Sequence, residues 1–259
     1  MLISRIYYKL TNKNIDSLII IRNSKLQYIK NVLRKKKGDM ISLFDGNGYE
    51  IISEIKEVSS KYILLILKKK LYTYKSFFKI NVIQPIIKIK KMDFLLEKTN
   101  ELGVFSFTPV FTHFSSKNFF FFNKKKMIHW EKKIISSSEQ NGRNIFMILN
   151  KPQCLIQLCE KIKKINSIKL YLQPFAKKSF LALFNKLSNN KRNNRMIKNK
   201  FFILVGPEGG FSNNELLLLR KSSFIAYNFC SNILCSETAM ISATSIIMNF
   251  IYTLENKYE

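Results

Sequence analysis

The sequence is poor in the residues that build metal centres and disulfide frameworks. It contains only 4 Cys and 2 His among 259 residues. The cysteines form two pairs, Cys154 with Cys159 and Cys230 with Cys235, and neither pair has the CxxC spacing typical of zinc or redox motifs. We therefore expect reduced thiols, no bound metal and a cytoplasmic location, because disulfide frameworks are typical of secreted proteins.

Long apolar runs and several familiar catalytic signatures are also missing. No stretch of about 18 uncharged apolar residues is present, so we expect no membrane-spanning helix. The N-terminal residues MLISRIYYKL lack the layout of a secretory signal. GxGxxG, Walker, HExxH and GxSxG motifs are absent, which disfavours Rossmann-type dinucleotide binding, nucleotide hydrolysis and zinc proteolysis.

Acidic residues are scarce as well. The chain has 17 Asp and Glu against 44 Lys and Arg, which gives a formal charge of +27 at pH 7. A charge of this size and sign predicts a polyanionic partner such as RNA. It does not locate the binding site, because the basic residues are spread along the whole chain.

The few glycines are concentrated in one loop. The chain has 8 Gly, and three of them fall in Gly206–Gly210, directly after the apolar run Phe201–Val205. An uninterrupted apolar run of this length predicts a buried strand. Glycines beyond its carboxyl end allow a flat ligand to approach the backbone closely. A plain strand-to-helix connection that needs positive φ would explain the same glycines.

The first 73 residues predict a small β-barrel domain. Asp45-Gly46 lies between apolar segments and predicts a hairpin. We expect strands on both sides of it and further along this domain, which the apolar segments locate as follows: Ile29–Leu33, Met40–Phe44, Ile51–Val58 and Tyr62–Leu67.

Residues 74–259 predict an α/β domain with a largely parallel sheet, because strand-like and helix-like patterns alternate. Ser212 with Glu215 has the spacing of a capping box, and Gly103 suits a helix C-terminus. The Asn- and Lys-rich segment Asn185–Lys200 predicts a solvated loop. The predicted strands are Ile80–Pro85, Val104–Phe111, Lys169–Leu172, Phe201–Val205 and Ile225–Phe229, and the helices are Lys91–Leu102, Lys124–Asn141, Ser212–Lys221 and Glu237–Leu254.

Two polar segments carry groups suited to chemistry. Ile233–Ala239 follows a predicted strand and opens the last helix, so Ser236, Glu237 and Thr238 are explained equally well as ordinary capping residues. Ser138–Asn144 places an arginine beside amide side chains at a helix end, and the planar fork of an arginine suits a phosphate or a base edge.

Taken together, these segments resemble the ribosomal small-subunit methyltransferase E family, which methylates N3 of a uridine in 16S ribosomal RNA. The resemblance spans essentially the whole chain and depends on the order and spacing of several motifs. These motifs are VLRxxxGD and LFDG (32–39, 43–46), KMDF and EKTNELGV (91–94, 97–104), WEK and EQxGRN (130–132, 139–144), LVGPEGGFS (204–212) and SETA (236–239).

The resemblance implies an N-terminal PUA-like β-barrel that grips RNA and a C-terminal SPOUT domain with a trefoil knot over about residues 170–240. It also implies a homodimer and an S-adenosylmethionine site in the knot loops. The implied cofactor-binding residues are Leu172, Gln173, Pro174, Leu204, Val205, Gly206, Gly209, Gly210, Asn228, Phe229, Ile233, Leu234 and Ser236.

The hypothesis for catalysis is that Glu237 or Thr238 lies beside the methyl acceptor, with Arg143 on a phosphate or the base. The expected RNA-binding residues are Arg34, Lys91, Arg143 and Asn144. The chain departs from the family pattern LGxRILRTETA, because Cys230, Asn232 and Cys235 replace its first glycine and both arginines. An RNA-binding assembly factor without catalysis is the alternative; the N-terminal barrel and the charge disfavour a small-molecule enzyme.

Overall fold

The computed structural model describes residues 3–10, 14–115, 124–192, 199–228 and 230–255. The chain divides into two compact units. The first unit comprises Met1–Lys75 and Ile135–Phe146, and the second comprises Ser76–Ile134 and Met147–Glu259.

The first unit is built around a mixed five-stranded sheet. Its strands are β1 (Ser4–Tyr7), β2 (Leu18–Ile21), β3 (Met40–Phe44), β4 (Tyr49–Val58) and β5 (Ile63–Tyr72). Their order is β1-β3-β4-β5-β2, and β1 runs parallel to β3 while the other neighbours are antiparallel. Alternate residues of β4 and β5 are buried, as the period of two in a strand requires.

The predicted hairpin at Asp45-Gly46 is confirmed. β3 and β4 pair antiparallel, with Phe44 opposite Glu50, and the connection contains Gly46 at φ +74°. A Cβ on Gly46 would lie 2.2 Å from the ring of Phe146. Glycine is therefore required here both by the backbone conformation and by the close approach of segment Ile135–Phe146.

The predicted strand at Ile29–Leu33 is wrong. These residues continue helix α1 (Asn23–Gln27) as a π-helical turn, Tyr28–Val32. Leu26 and Ile29 are buried, and Leu33 packs against the same core cluster. Their spacing of three and four residues is that of one helical face, whereas a strand would have turned alternate residues away from the core.

The second unit contains a parallel sheet, as predicted. Its strands are β6 (Lys79–Pro85), β7 (Ser106–Phe111), β8 (Ile148–Leu149), β9 (Gln153–Cys154), β10 (Ile168–Leu172), β11 (Lys200–Val205) and β12 (Ile225–Tyr227). The order is β12-β10-β11-β6-β7-β8, with β9 also paired to β7, and these pairs are all parallel. Every residue of β11 after Lys200 is buried, which explains its continuous apolar run.

The four helices predicted in this part of the chain are present and begin and end close to the predicted positions, but the helix Leu155–Lys163 was not predicted. Gly103, at φ +85°, follows α2, and Ser212 forms the predicted capping box with Glu215 at the start of α6. α7 packs against α2 and β11. The helices of this part of the chain are α2 (Ile89–Glu101), α3 (Lys124–Asn141), α4 (Leu155–Lys163), α5 (Phe180–Arg192), α6 (Asn213–Lys221) and α7 (Ser236–Glu255).

The described residues of one predicted loop are largely helical. Asn185–Lys200 was expected to be solvated coil, but α5 extends through Arg192, and residues 193–198 lie outside the described residues. Phe180, Leu183 and Leu187 are buried at helical spacing, so the apolar face at the start of α5 carries the polar residues that follow into the helix. Among the described residues, no helix is both long enough and apolar enough to cross a membrane.

Candidate cofactor and RNA site

A cavity of about 660 Å³ lies at the carboxyl ends of β10, β11 and β12. These parallel strands end at the same edge of the sheet, where open α/β sheets usually bind ligands. The lining comes from the loops after the strands and from the first turn of α7. The lining residues are Leu172, Gln173, Pro174, Phe175, Val205, Gly206, Pro207, Glu208, Gly210, Phe211, Leu216, Tyr227, Asn228, Cys230, Asn232, Ile233, Leu234, Cys235, Ser236 and Ala239.

Most of the residues that the sequence predicted for the cofactor line this cavity. Ten of the implied residues do so: Leu172, Gln173, Pro174, Val205, Gly206, Gly210, Asn228, Ile233, Leu234 and Ser236. Leu204 is fully buried in β11 and does not line the cavity, nor does Gly209. Phe229 lies outside the described residues.

The glycine loop has three glycines with three different surroundings. Gly210 adopts φ +72° and donates its N–H to the Pro207 carbonyl (2.8 Å). Apart from its chain neighbours, no described residue has an atom within 4 Å of where a Cβ on Gly210 would stand. A Cβ on Gly209 would lie 3.0 Å from Phe114, and one on Gly206 would lie 3.3 Å from the ring of Phe211. Gly210 therefore keeps space open, whereas Gly209 makes room for a side chain of the protein itself.

The loop that follows β12 is held by hydrogen bonds of Asn228. Asn228 donates its backbone N–H to the Lys178 carbonyl (2.9 Å), and its side-chain oxygen accepts from the N–H of Cys230 (3.2 Å). Asn232 and Cys235, which stand where the family pattern has arginines, are exposed and line the cavity. The loop therefore offers amide and thiol groups, and no guanidinium, to a ligand.

One lysine on α2 contacts both the glycine loop and the first turn of α7. Lys91 on α2 donates to Glu208 Oε1 (2.8 Å) and lies 3.0 Å from Glu237 Oε1. We call these three residues the Lys91 bridge. The carboxylate of Glu208, which has the larger effect, and that of Glu237 raise the pKa of Lys91 above its ordinary value. Lys91 in turn lowers the pKa of Glu208. Glu208 belongs to the glycine loop and Glu237 to the first turn of α7, so the bridge ties these two segments together.

The second oxygen of Glu237 has no such partner. Glu237 Oε2 is buried and makes no hydrogen bond within the described part of the chain. Glu237 itself does not line the cavity, although its neighbour Ser236 does, and Thr238 is exposed.

A buried glutamine that the sequence analysis missed also reaches the cavity wall. Gln84 on β6 is fully buried, and its Nε2 donates to the Ser236 hydroxyl (2.9 Å) and to the Pro85 carbonyl (3.0 Å). The signal in the sequence was a polar residue directly after Val82-Ile83, near the end of the otherwise mostly apolar run Ile80–Pro85. A buried amide in a strand requires partners, and this could have marked the position.

In the first unit, Asn144 is the centre of a polar network that it forms with Arg5, Ser42, Glu50 and Thr73; we call this the Glu50 network. Asn144 Nδ2 donates to Glu50 Oε2 (2.8 Å) and to the Thr73 hydroxyl (2.9 Å), and its Oδ1 accepts from Arg5 (2.7 Å). Glu50 Oε1 accepts from Arg5 and from Ser42, at 2.5 Å each. The Asn144 side chain is buried and engaged, so it would have to break these bonds to reach RNA.

Arg143, next to Asn144, is partly buried and donates from Nε to the Ile145 carbonyl (2.5 Å). Burial lowers its pKa to about 10, which leaves the guanidinium charged at neutral pH. Arg34 is exposed, with φ +50°, and lies two residues after the end of the π-helical turn. Both of these predicted RNA-binding residues lie in the first unit, whereas Lys91, Glu237 and Thr238 lie in the second.

Two family models match this chain. A model described as "RNA methyltransferase domain" covers residues 74–248, and one described as "RNA methyltransferase PUA domain" covers residues 21–68.

Individual relatives match over nearly their full length. The ribosomal RNA small subunit methyltransferase E of Buchnera aphidicola subsp. Schizaphis graminum is 34% identical over 95% of this chain and 95% of its own. A Legionella pneumophila protein, solved with the bound cofactor SAM, is 28% identical with a TM-score of 0.81, covering 96% of this chain and 98% of that one. A ribosomal RNA small subunit methyltransferase E from Neisseria gonorrhoeae, 24% identical with a TM-score of 0.80 over 96% and 98%, shares the fold.

Proposed function

This chain belongs to the ribosomal RNA small subunit methyltransferase E family, and we propose that it transfers a methyl group from S-adenosylmethionine to N3 of a uridine in 16S ribosomal RNA. The observation that carries this proposal is the cavity at the carboxyl edge of the parallel sheet, lined by the glycine loop and the first turn of α7. The SAM-bound Legionella relative, similar over nearly the whole chain, supports the choice of cofactor.

The residues present suit S-adenosylmethionine. A volume of about 660 Å³ lies within the range of small-molecule sites, and apolar side chains such as Leu172, Phe211 and Leu234 suit the faces of an adenine ring. The open space beside Gly210 admits a ligand close to the backbone. Carbonyl and amide groups of the loops after β10 and β12 are the polar groups that would orient the nucleoside.

The cofactor supplies an electrophilic methyl group, and the protein supplies placement and help with the N3 proton. We propose that Glu237 and Thr238, in the first turn of α7, lie beside the acceptor base. Lys91 holds Glu237 through one carboxylate oxygen, which leaves Oε2 turned to no partner among the described residues. That oxygen is the group in the first turn of α7 best suited to accept a hydrogen bond from the imide N–H.

The RNA is bound through charge. With +27 charges the chain attracts the phosphate backbone at long range, and the PUA-type first unit adds a dedicated RNA-binding surface. We assign Arg34 and Arg143 to phosphate groups of the RNA, with Lys91 and Asn144 as further candidates. The target base must be unstacked before it can reach the cofactor.

The resemblance to SPOUT methyltransferases extends the proposal to architecture and location. Residues of about 170–240, which supply β10, β11, β12 and most of the cavity, form the trefoil knot, and two copies associate through this region as a homodimer. The substrate, a small ribosomal subunit, places the enzyme in the cytoplasm. Light scattering at working concentration tests the dimer, and a monomer would contradict it.

The central test is nucleoside mass spectrometry of 16S ribosomal RNA. Deletion of the gene should remove 3-methyluridine at a single position, and the purified protein with S-adenosylmethionine should restore it on small subunits from the deletion strain. Restoration on subunits but not on free 16S RNA would identify the assembled particle as the substrate. If the same 3-methyluridine remains in the deletion strain, the proposal is wrong.

One observation favours a second candidate function, an RNA-binding assembly factor without catalysis. Asn232 and Cys235 line the cavity where the family pattern has arginines. Calorimetric titration separates the two functions, because an assembly factor of this kind would bind RNA but show no heat with S-adenosylmethionine.

A further inference from the structure

The side-chain amide of Gln84 is in an unusual position for a β-strand residue. It is fully buried in β6, and its Nε2 makes two hydrogen bonds, to the Pro85 carbonyl and to the Ser236 hydroxyl. Its Oε1 is buried with no hydrogen-bond partner in the described ranges. Burying an amide oxygen without a hydrogen-bond partner lowers the stability of the fold. We therefore expect the hydrogen bonds of the amide nitrogen to have a function that offsets this cost.

The chemistry of the partners fixes the orientation of this amide. A backbone carbonyl can only accept a hydrogen bond, so the atom facing Pro85 must be the nitrogen. The same nitrogen faces Ser236 Oγ at 2.9 Å. Gln84 is therefore the donor and the Ser236 oxygen the acceptor, and exchanging the amide oxygen and nitrogen would turn the oxygen towards another oxygen at Pro85.

This direction determines what Ser236 can do. A hydroxyl whose oxygen accepts from one neighbour still has its own proton to donate. Ser236 is 4% exposed and lines the cavity, and no acceptor in the described part of the chain receives its proton. The proton is therefore available to a ligand in the cavity.

We propose that Gln84 is a positioning residue that fixes the Ser236 hydroxyl as a hydrogen-bond donor to an acceptor atom of the bound cofactor. This inference rests on the proposed function, because it takes the cavity as the S-adenosylmethionine site. Gln84 does not line the cavity and acts only through Ser236.

The test is the affinity for S-adenosylhomocysteine, measured by calorimetry on the full chain without RNA. Replacing Gln84 by Met keeps the length of the side chain and removes the donor. We expect Gln84→Met and Ser236→Ala each to weaken binding about five- to tenfold, the usual effect of losing one well-placed hydrogen bond. The double variant should bind S-adenosylhomocysteine as tightly as the single variant of lower affinity, because both changes remove the same interaction.

Thr244→Val is the matched control. Thr244 lies on the same helix, is fully buried, does not line the cavity, and its hydroxyl has no partner within the described segments. Removing that hydroxyl should leave the Kd for S-adenosylhomocysteine unchanged. Thermal unfolding of each unliganded variant separates loss of affinity from loss of stability.

If Gln84→Met does not fold, a second pair of variants decides the matter. Ser236→Thr and Ser236→Val give side chains of the same shape, one with a hydroxyl where the other has a methyl group. The Val variant should bind S-adenosylhomocysteine about fivefold more weakly than the Thr variant. Equal affinities for this pair, or losses from Gln84→Met and Ser236→Ala that add fully, overturn the proposal. If wild-type protein itself does not bind S-adenosylhomocysteine, the proposed function fails instead.

Discussion

Glu50 in the first unit and Glu237 in the second differ in how completely their carboxylate oxygens are satisfied. Both carboxylate oxygens of Glu50 accept hydrogen bonds, from Arg5, Ser42 and Asn144. Glu237 uses one oxygen for Lys91 and leaves the other buried without a partner among the described residues. A buried carboxylate that is bonded through both oxygens stabilises the fold, whereas Glu237, next to the cavity-lining Ser236, keeps an acceptor that no described residue uses. We therefore expect changes in the Glu50 network to affect stability and changes in the Lys91 bridge to affect activity.

The largest expected effect is on the Glu50 network. Glu50→Gln replaces an acceptor oxygen by an amide nitrogen that faces donors only. We expect the free energy of unfolding to fall by about 2–3 kcal/mol, measured by urea denaturation, because buried donors lose their acceptor. The affinity for S-adenosylhomocysteine should stay within about twofold of wild type, as expected for a cluster that serves stability.

The matched control for this prediction is Glu54→Gln. Glu54 lies on the same strand, but its partners Lys56 and Lys68 are exposed, so solvent screens the pair and no measurable loss is expected. Equal losses for the two variants would show that burial of the Glu50 network contributes nothing, and the comparison would fail.

The contrast also shows what sequence can predict. Apolar runs and capping residues are local, so β11, the α6 capping box and the Asp45-Gly46 hairpin were predicted correctly. The two polar clusters depend on contacts between distant residues: Asn144 meets Arg5 across 139 positions, and Lys91 meets Glu208 across 117. No pattern in a window of the chain can reveal such pairs. The polar second part of α5 was predicted as a loop because the apolar face of this helix lies at its beginning. The polar part therefore has no apolar period of its own that would indicate a helix.

The next effect, on the Lys91 bridge, should appear in catalysis and not in stability. Lys91→Gln removes the cation that ties Glu208 to Glu237, so both the glycine loop and the first turn of α7 lose a constraint. We expect kcat/KM for methylation of small subunits to fall about tenfold, since misplaced groups lose catalytic power steeply. The melting temperature should not change measurably, because Lys91 and Glu208 are solvated.

Lys98→Gln on the same helix is the control for Lys91→Gln, since Lys98 pairs with Glu97 and Glu101 of its own helix and not with the glycine loop or α7. It should leave both kcat/KM and the melting temperature unchanged. A fall in melting temperature for Lys91→Gln without a fall in kcat/KM would reverse the roles assigned to the two clusters.

A smaller effect is expected from the backbone of the glycine loop. Gly210→Ala places a Cβ on a residue with φ +72°, which should cost about 1 kcal/mol of stability although no atom of the described residues obstructs the new methyl group. Gly210→Asn should lose less, because asparagine tolerates the left-handed region better than alanine. Urea denaturation of the two variants measures the difference. Equal losses would mean that the φ angle is not the cause.

The smallest effect is a pH dependence within the first unit. Burial raises the pKa of Glu139, which accepts the Tyr7 N–H (2.9 Å) and lies near Lys25. The folded state therefore holds the proton more tightly than the unfolded state, and stability is lost as the pH rises from the unfolded pKa through the folded one.

Glu139→Gln should remove this loss, because a neutral amide can still accept the Tyr7 N–H. The variant should equal wild type at about pH 3, where the Glu139 carboxyl is largely protonated in both states. At pH 8 it should be more stable by about 0.5 kcal/mol, a small gain because the carboxyl is only partly buried.

The pKa shift of Glu50 has the opposite sign to that of Glu139. Burial alone would raise the pKa of Glu50, but Ser42, Asn144 and Arg5 outweigh burial and lower it. Its contribution is therefore present above the unfolded pKa and is lost as the pH falls through the folded one, so urea denaturation at both pH values should separate the two carboxyls. A Glu139→Gln variant that is less stable than wild type at pH 8 would place Glu139 with Glu50, as a charge that the first unit needs.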